Sequence, residues 1–560
     1  MRVAGEPRVV ADGAVPDGLL DAFWAYERAL GSDDVTELDR LFARGPHTLR
    51  GDASGLLVGH EQIAAFRSGR GGAPTRTVLD VHVRTITPDD ALVVAVTALA
   101  RGGRGRQSQL WHRGPDGWAV RAADVTVPAP RTDPRVWRVV GEPLVAGART
   151  PAPHAGRGHG SLPGDVLLLA GETVAVKDLF AVAGHRVGAG NPAWLEDAGV
   201  EPAHAWAVDA LLAAGADVVG IARTDELAYS LAGTNAHHGA PPNPAAPGRV
   251  PGGSTSGPAT AVSLGQASIA LGTDTGGSVR VPAAYQGLWG LRTTHGAVPR
   301  DGLVGLAPSF DTIGCLARTP EVLARATAVL LPAAGVPCPV TPVRPVRTAV
   351  AEAADPQELL GQVVVVPPLV AHADADVADA VLALADRLGW ARSGVLADAP
   401  FARWREAFQT VQAWEAWREH GAWLTRRGLD VLGPDVRARL AHAATVTDDD
   451  ARAARAVAAD VRQAVRAAVG DRVLAFPAAS SVAPPLLGGQ AGHGAAAAAV
   501  DAARQRTMEL TCLAGLAGLP ALAVPLRTAD GLPCGVSLVA GEGRDHDLLA
   551  IACALGTEVP

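Results

Sequence analysis

Apolar positions follow different patterns in different parts of the chain. In DGLLDAFWAYERALGS, Leu19, Leu20, Phe23, Ala29 and Leu30 recur at roughly helical spacing, and ELDRLFARG and GHEQIAAFRSGR predict two further short helices. The period then changes to that of strands. TVLDVHVRTI, ALVVAVTALARG, RQSQLWHR and GWAVRAADVTV are rich in Val, Thr and Trp and are broken by the turn sequences TPDD, GGRG and GPDG. They predict four antiparallel strands in a meander. Helices followed by a curved sheet give a small α+β unit over residues 1–128.

Residues 129–165 lose both periods. PAPRTDPRVWRVV and GARTPAPHAGRGHGSLPG cluster Pro and Gly and predict a linker, with room for one short ordered segment. From 166 to 560, apolar helical runs alternate with Gly-rich turns and short Val-rich segments. AWAVDALLAAGADVVGIART reads as helix, Gly stop and buried strand. EVLARATAVLLP and DVADAVLALADRLG read as helices on either side of the buried strand in GQVVVVPPLV. This order predicts an α/β unit with a largely parallel or mixed sheet covered by helices on both faces. WREAFQTVQAWEAWREHGAW gathers Trp404, Trp414, Trp417 and Trp423 on one helix, whose aromatic face is either core or a pocket wall. LTCLAGLAGLPALAVPL carries two prolines and many small residues, and predicts a buried strand and turn rather than a membrane span.

Composition narrows the class. At 560 residues the chain is too long for one ordinary core, and 48% hydrophobic with 19% charged residues is a globular balance. The net charge of −8 is spread over both signs without a basic block, which argues against nucleic acid or an anionic membrane and for a small-molecule partner. Cys315, Cys338, Cys512, Cys534 and Cys553 are dispersed with no CxxC pair, which predicts buried thiols in a reducing compartment and no metal site. MRVAGEPRVVADGAVPDG lacks an apolar h-region, so the expected location is cytoplasmic.

The candidate chemistry starts from TVAVKDLF. It holds Lys177, the single lysine of a chain with 49 Lys and Arg residues. Arginine stays protonated in proteins, whereas a buried lysine can be neutral and act as a base. Drift in a chain rich in Ala, Arg, Gly and Pro is the alternative. A partner for the amine lies in VPGGSTSGPATAVSLGQASIALGTDTGGSVRVPAAYQGLWGLRTTHG, where Ser254 and Ser278 sit in glycine turns. The stretch has neither a GxxxxGK[ST] phosphate loop nor a GxSxG elbow. It can support nucleophilic acyl transfer, because a serine needs a base and a TDTGGS loop can aim several N–H groups at an oxyanion. Asp274 and Arg280 flank the nucleophile and predict a bracing pair. His237-His238, without a carboxylate cluster at ligand spacing, predicts a structural or pocket-lining pair.

GGSTSG followed by GTDTGGSVRVPAAYQGLWGLRTTHG resembles the amidase signature family over residues 166–560. The resemblance implies a doubly covered α/β sheet and a Ser–cis-Ser–Lys triad: Ser278 as the acylated nucleophile, Ser254 as the relay after a cis bond to Gly253, and Lys177 as the base. It implies an oxyanion hole from the N–H groups of Thr275, Gly276, Gly277 and Ser278, and no cofactor or metal. TDELAYSLAGTNAHHGAPPNPAAPGRVPGG and FQTVQAWEAWREHGAW resemble the indole-3-acetamide hydrolase subgroup, which implies Trp417 and His420 in the acyl pocket. Thr255, Pro258 and Gln286 depart from residues common in the family. FWAYERAL, LVGHEQIAAFRSGR and GRQSQLWHRGPDGWAVRAADV resemble the AtzH-like proteins of the SnoaL-like fold, cone-shaped α+β barrels. There Arg67, Arg70, Arg106 and Gln109 could bind a carboxylate or be solvated strand charges, and Asp124 stands where a histidine is usual. The expected activity is hydrolysis of a small primary amide, aryl- or indolyl-acetamide-like. A ureido-carboxylate hydrolase, a non-catalytic scaffold and an amidotransferase subunit are the alternatives. The expected partner is the amide substrate, with a homodimer allowed for through the N-terminal unit.

Overall fold

Two sheets organise the chain, and each belongs to its own compact unit, residues 1–130 and 131–560. The computed structural model describes residues 7–52, 55–70, 76–99, 104–126, 133–149, 167–331, 356–486 and 495–556. In the N-terminal unit the three expected helices form at Leu19–Ser32, Val35–Arg40 and His60–Arg70. The meander forms as Arg76–Thr87, Asp90–Leu99, Arg104–Gly114 and Gly117–Thr126, each antiparallel to the next. Three short strands went unread: Arg8–Ala11 pairs parallel with the first meander strand, and Leu49–Asp52 pairs parallel with the last and antiparallel with Gly55–Val58. Four residues each is too short for a period to show. The core takes Leu19, Phe23 and Tyr26 from the first helix and alternate positions such as Val81 and Val83, or Val93 and Ala95, from the strands. Leu20 turns partly outward, and Tyr26 takes the inward place at the helical period.

The larger unit is built on an eleven-stranded mixed sheet. Across it the strands run Ala391–Arg392, Val363–Val365, Val473–Pro477, Pro533–Val539, Ala521–Arg527, Trp289–Arg292, Thr312–Ala317, Ile269–Asp274, Thr173–Lys177, Asp217–Ala222 and Trp137–Val145. Thr173–Lys177 is buried at every position, as a strand covered on both faces must be. It runs parallel to both neighbours, Ile269–Asp274 and Asp217–Ala222, so the three carboxyl ends open at the same edge. Ligand sites of open α/β sheets form at such an edge.

One expectation is refined here and one fails. Trp137–Val145, inside the segment read as linker, is an edge strand antiparallel to Asp217–Ala222. Its Trp137 Nε1 donates to Gln266 Oε1 at 2.7 Å, a partner too distant in sequence to be anticipated from a Pro-rich stretch. Leu510–Ala517, read as strand and turn, completes the helix Ala495–Ala517, and only Ala521–Arg527 is strand. A helix buried all round shows no polar face, so its pattern resembles a buried strand. Cys315, Cys512 and Cys534 are free and buried and Cys553 is partly buried, while Cys338 lies outside the described residues.

Candidate active site

Lys177 closes its strand with its side chain fully buried. Its Nζ donates to Ser254 Oγ at 2.8 Å, to Thr273 Oγ1 at 2.8 Å and to Thr255 Oγ1 at 3.1 Å. Thr273 belongs to the parallel neighbour strand, and Thr255 precedes the buried helix Ser256–Ser263. Gly272 makes room for that arrangement, because a Cβ there would lie 2.4 Å from Thr255 Cγ2. Burial pushes the Lys177 ammonium down to about 7, against the pull of Asp225, Asp274 and Asp311. The three hydroxyls suit either state: the ammonium donates to all three, and the neutral amine donates to two and accepts from the third, with no carboxylate among the described residues in contact to fix a positive charge.

Ser254 follows a cis peptide bond from Gly253 and is fully buried. Its carbonyl accepts from Thr224 Oγ1 at 2.8 Å and from the Asp225 N–H at 3.3 Å. Gly253 packs on the Asp225 carboxylate so closely that a Cβ would stand 2.2 Å from Oδ2. Asp225 also accepts from Gly233 N at 2.9 Å and Ser256 Oγ at 2.9 Å, and burial raises its pKa to about 6. Asp225 was missed in the sequence because nothing in TDELAYS marks it beyond its charge.

Ser278 is 3% exposed, and its carbonyl accepts from Thr255 N at 3.3 Å, which brings the second serine loop against the first. The loop before it is braced as expected by Asp274 and Arg280: Nη2 donates to Oδ1 at 2.8 Å and Nε to Oδ2 at 3.0 Å. Arg292, unread in the sequence, adds a donor to Asp274 Oδ1 at 3.2 Å and to the Phe310 carbonyl at 2.9 Å. The Gly277 N–H also goes to Asp274 Oδ1, at 2.9 Å. It is therefore committed to the brace, and the expected set of oxyanion donors shrinks to the N–H groups of Thr275, Gly276 and Ser278. Gly277 has a φ of +121°, a backbone that suits glycine.

Gly276 and Ser278 open into a cleft of about 370 Å³. Its walls include Tyr229, Ser230, Leu231 and Met508, with Arg439 and Arg504. The helix Phe401–Arg427 contributes Glu406, Gln409, Thr410, Gln412 and Ala413. Trp417 and His420 are not among the residues lining this cleft. They continue the same helix face, but about 6 and 10 Å further along the axis than Ala413. There His420 is buried edge-on against Trp194, with its pKa pushed down to about 4 by burial. His237 and His238 are structural: His237 Nε2 pairs with Glu226 Oε1 at 2.7 Å, and Arg223 Nη1 donates to His238 Nε2 at 3.0 Å.

In the N-terminal unit, Arg67 and Gln109 are buried. Arg67 Nη1 donates to the Leu38 carbonyl at 2.7 Å with its guanidinium 3.8 Å from the Phe42 ring centroid, and Gln109 Oε1 accepts from Trp111 Nε1 at 3.1 Å. Among the described residues Gln109 Nε2 has no hydrogen-bond partner, and Arg67 faces the Tyr26 hydroxyl. Arg106 is exposed, because Gly105, Gln107, Gln109 and Trp111 take the inward positions of an alternating strand; it does not join the interior set. The Arg70 side chain lies outside the described residues.

A family profile for amidases matches residues 144–549. The chain belongs to the amidase family. A second profile, AtzH-like, matches residues 7–130, so this amidase carries an AtzH-like N-terminal domain. It is 35% identical over 408 residues to Amidase 1 of Oryza sativa subsp. japonica, covering 70% of this chain and 91% of that protein. It is also 32% identical over 392 residues to the translocon at the outer membrane of chloroplasts 64 of Pisum sativum, covering 67% of this chain and 64% of that one. Among solved structures, a vestigial protein complex bearing on the origins of an s-triazine catabolic enzyme is 28% identical, with a TM-score of 0.61 over 70% of this chain and 84% of that chain. This amidase is a hydrolase acting on amide C–N bonds. Among the described residues no helix is long and apolar enough to cross a membrane, and no cluster of His, Cys, Asp or Glu could hold a metal ion.

Proposed function

We propose that the protein hydrolyses a small primary amide to a carboxylate and ammonia through an acyl-enzyme on Ser278. The contact that carries this reading is Lys177 Nζ on Ser254 Oγ at 2.8 Å, with the lysine fully buried and its pKa pushed down to about 7. Neutral Lys177 takes a proton from Ser254, which takes one from Ser278 as its Oγ attacks the amide carbonyl. The tetrahedral oxyanion is stabilised by the N–H groups of Thr275, Gly276 and Ser278. The proton returns through Ser254 to the leaving nitrogen, and ammonia departs. Water, deprotonated along the same route, then cleaves the ester and frees the carboxylate.

Hydrolysis of a ureido-carboxylate is the second reading, favoured by the AtzH-like match and the s-triazine structural neighbour. In that reading the N-terminal domain is an accessory that binds an acidic urea-like compound, with Arg67 and Gln109 holding its carboxylate. The translocon relative raises a scaffold without catalysis, which the filled Lys177, Ser254 and Ser278 positions oppose. Ammonia release from a panel of aryl, indolyl, aliphatic and ureido amides, wild type against Ser278→Ala, tests all three. Release lost in the variant is the expected result, and the best substrate chooses between the first two readings. No release from any amide by the folded protein would leave the scaffold.

A further inference from the structure

The two arginines in the cleft are held differently. Arg504 is paired, its Nε and Nη2 donating to Asp501 Oδ1 at 3.1 and 2.6 Å. Arg439 forms no ion pair with a carboxylate among the described residues. Its Nη1 donates to the Tyr229 carbonyl, and its guanidinium carbon lies 5.9 Å from the centroid of the Tyr229 ring. Burial and the Arg504 charge push its pKa below the ordinary arginine value, while Asp435 pulls it back. Glu406, the acidic side chain of the lining, is 67% exposed and sits 3.7 Å from Arg405. It is no counter-ion for Arg439.

A half-buried cation without a counter-ion is costly unless a ligand brings one, and the planar guanidinium fork fits a carboxylate better than any neutral group. Tyr229 fixes one arm of the fork, which leaves the others for that ligand. We propose that Arg439 selects amides whose acyl part carries a carboxylate, gripping it while the amide carbonyl lies at Ser278. The proposal rests on the amide-hydrolase reading above and narrows its substrate to monoamides of dicarboxylic acids and ureido-carboxylates. An indolyl or aryl amide would bury Arg439 against an uncharged wall. Gln409 and Gln412 in the same lining add amide donors that suit an anionic end.

The test uses the monoamides of oxalic, malonic and succinic acid, each against its uncharged diamide, with the wild type, Arg439→Gln and Arg439→Lys. The wild type is expected to prefer at least one monoamide over its diamide. Arg439→Gln should lower kcat/KM on that monoamide by about 10- to 100-fold, mostly through KM, and change the diamide by less than about threefold. Arg439→Lys should keep part of the preference because the charge remains. Calorimetric titration of the monoamides into Ser278→Ala separates the proposal from the hydrolase reading. Binding that Arg439→Gln removes supports the anion site even where nothing is turned over. Equal use of monoamide and diamide by the wild type would overturn the proposal, as would equal losses on both in Arg439→Gln. Monoamide binding to Ser278→Ala that is absent, or indifferent to Arg439→Gln, would overturn it as well.

Discussion

The strands on either side of Thr173–Lys177 each lead into a fully buried aspartate, and the two carboxylates are held in opposite ways. Asp274 ends the strand on one side and meets two arginines. Burial alone would raise its pKa, but the charge and hydrogen bonds of Arg280 and the charge of Arg292 hold it well below the usual carboxylate range. Asp225 follows the strand on the other side and pairs with no arginine among the described residues. Burial raises its pKa to about 6, against the hydroxyls of Ser256 and Ser230, the Gly233 N–H and the charge of Lys177, which favour its ionised form. Both pull Lys177 toward its charged form, Asp225 the more strongly, and the desolvation of the amine still outweighs them. Asp274 is thus a fixed anion that shapes a loop. Asp225 is an adjustable one that trims the pKa of Lys177.

The largest test of this division acts on the lysine they share, the proposed base. Lys177→Arg keeps a cation beside both aspartates but cannot give up its proton. It should be nearly as inactive as Lys177→Ala, with kcat down by about 10⁴-fold in each. Substantial activity in the arginine variant would sink the base assignment. Next is Asp274→Asn, which leaves Arg280 and Arg292 buried without their counter-ion. It should cost about 3–5 kcal/mol in denaturant unfolding, whatever happens to activity. A loss below about 1 kcal/mol would mean that Asp274 is not the anchor of the TDTGGS loop.

Legibility in the sequence followed the same division. Lys177, Ser254, Ser278 and the Asp274–Arg280 brace could be read because glycine turns and a lone lysine mark them within short stretches. Asp225, Thr273 and Arg292 carry no such mark. They reach the site only because three parallel strands align their ends and a fourth brings Arg292 back beneath the loop. Trp417 and His420, placed by resemblance in the acyl pocket, lie on the same helix face as the cleft-lining Ala413 but further along the axis, a distance that sequence spacing alone does not relate to a cleft. In the fold, long periodic elements were readable. Four-residue strands, the edge strand Trp137–Val145 in a Pro-rich run and the all-apolar end of Ala495–Ala517 were not.

The smaller tests concern Asp225. With Lys177 at about 7 and active only when neutral, kcat/KM should rise with pH through neutrality, and at pH 6 stand at roughly a tenth of its plateau. Asp225 above its pKa of about 6 raises the pKa of Lys177, so Asp225→Asn should move the rising limb to lower pH. The relative rate at pH 6 should then be several-fold higher. A limb that stays put or moves upward would remove Asp225 from the base's control.

Ser256→Ala is the finest probe, because it leaves the carboxylate in place and removes one donor from it, Ser256 Oγ on Asp225 Oδ1 at 2.9 Å. That bond favours the ionised form, so losing it lifts the Asp225 pKa further and leaves more of the group protonated near neutrality. Its hold on Lys177 weakens there, and the limb should shift the same way as in Asp225→Asn, by less than about twofold at pH 6. The cost in stability should be about 1 kcal/mol. At high pH, where Asp225 is ionised in both proteins, the two rates should converge. A shift as large as that of Asp225→Asn would mean that the aspartate depends wholly on this one hydroxyl, and the contrast with the doubly clamped Asp274 would be sharper still. A shift in the opposite direction would break the comparison.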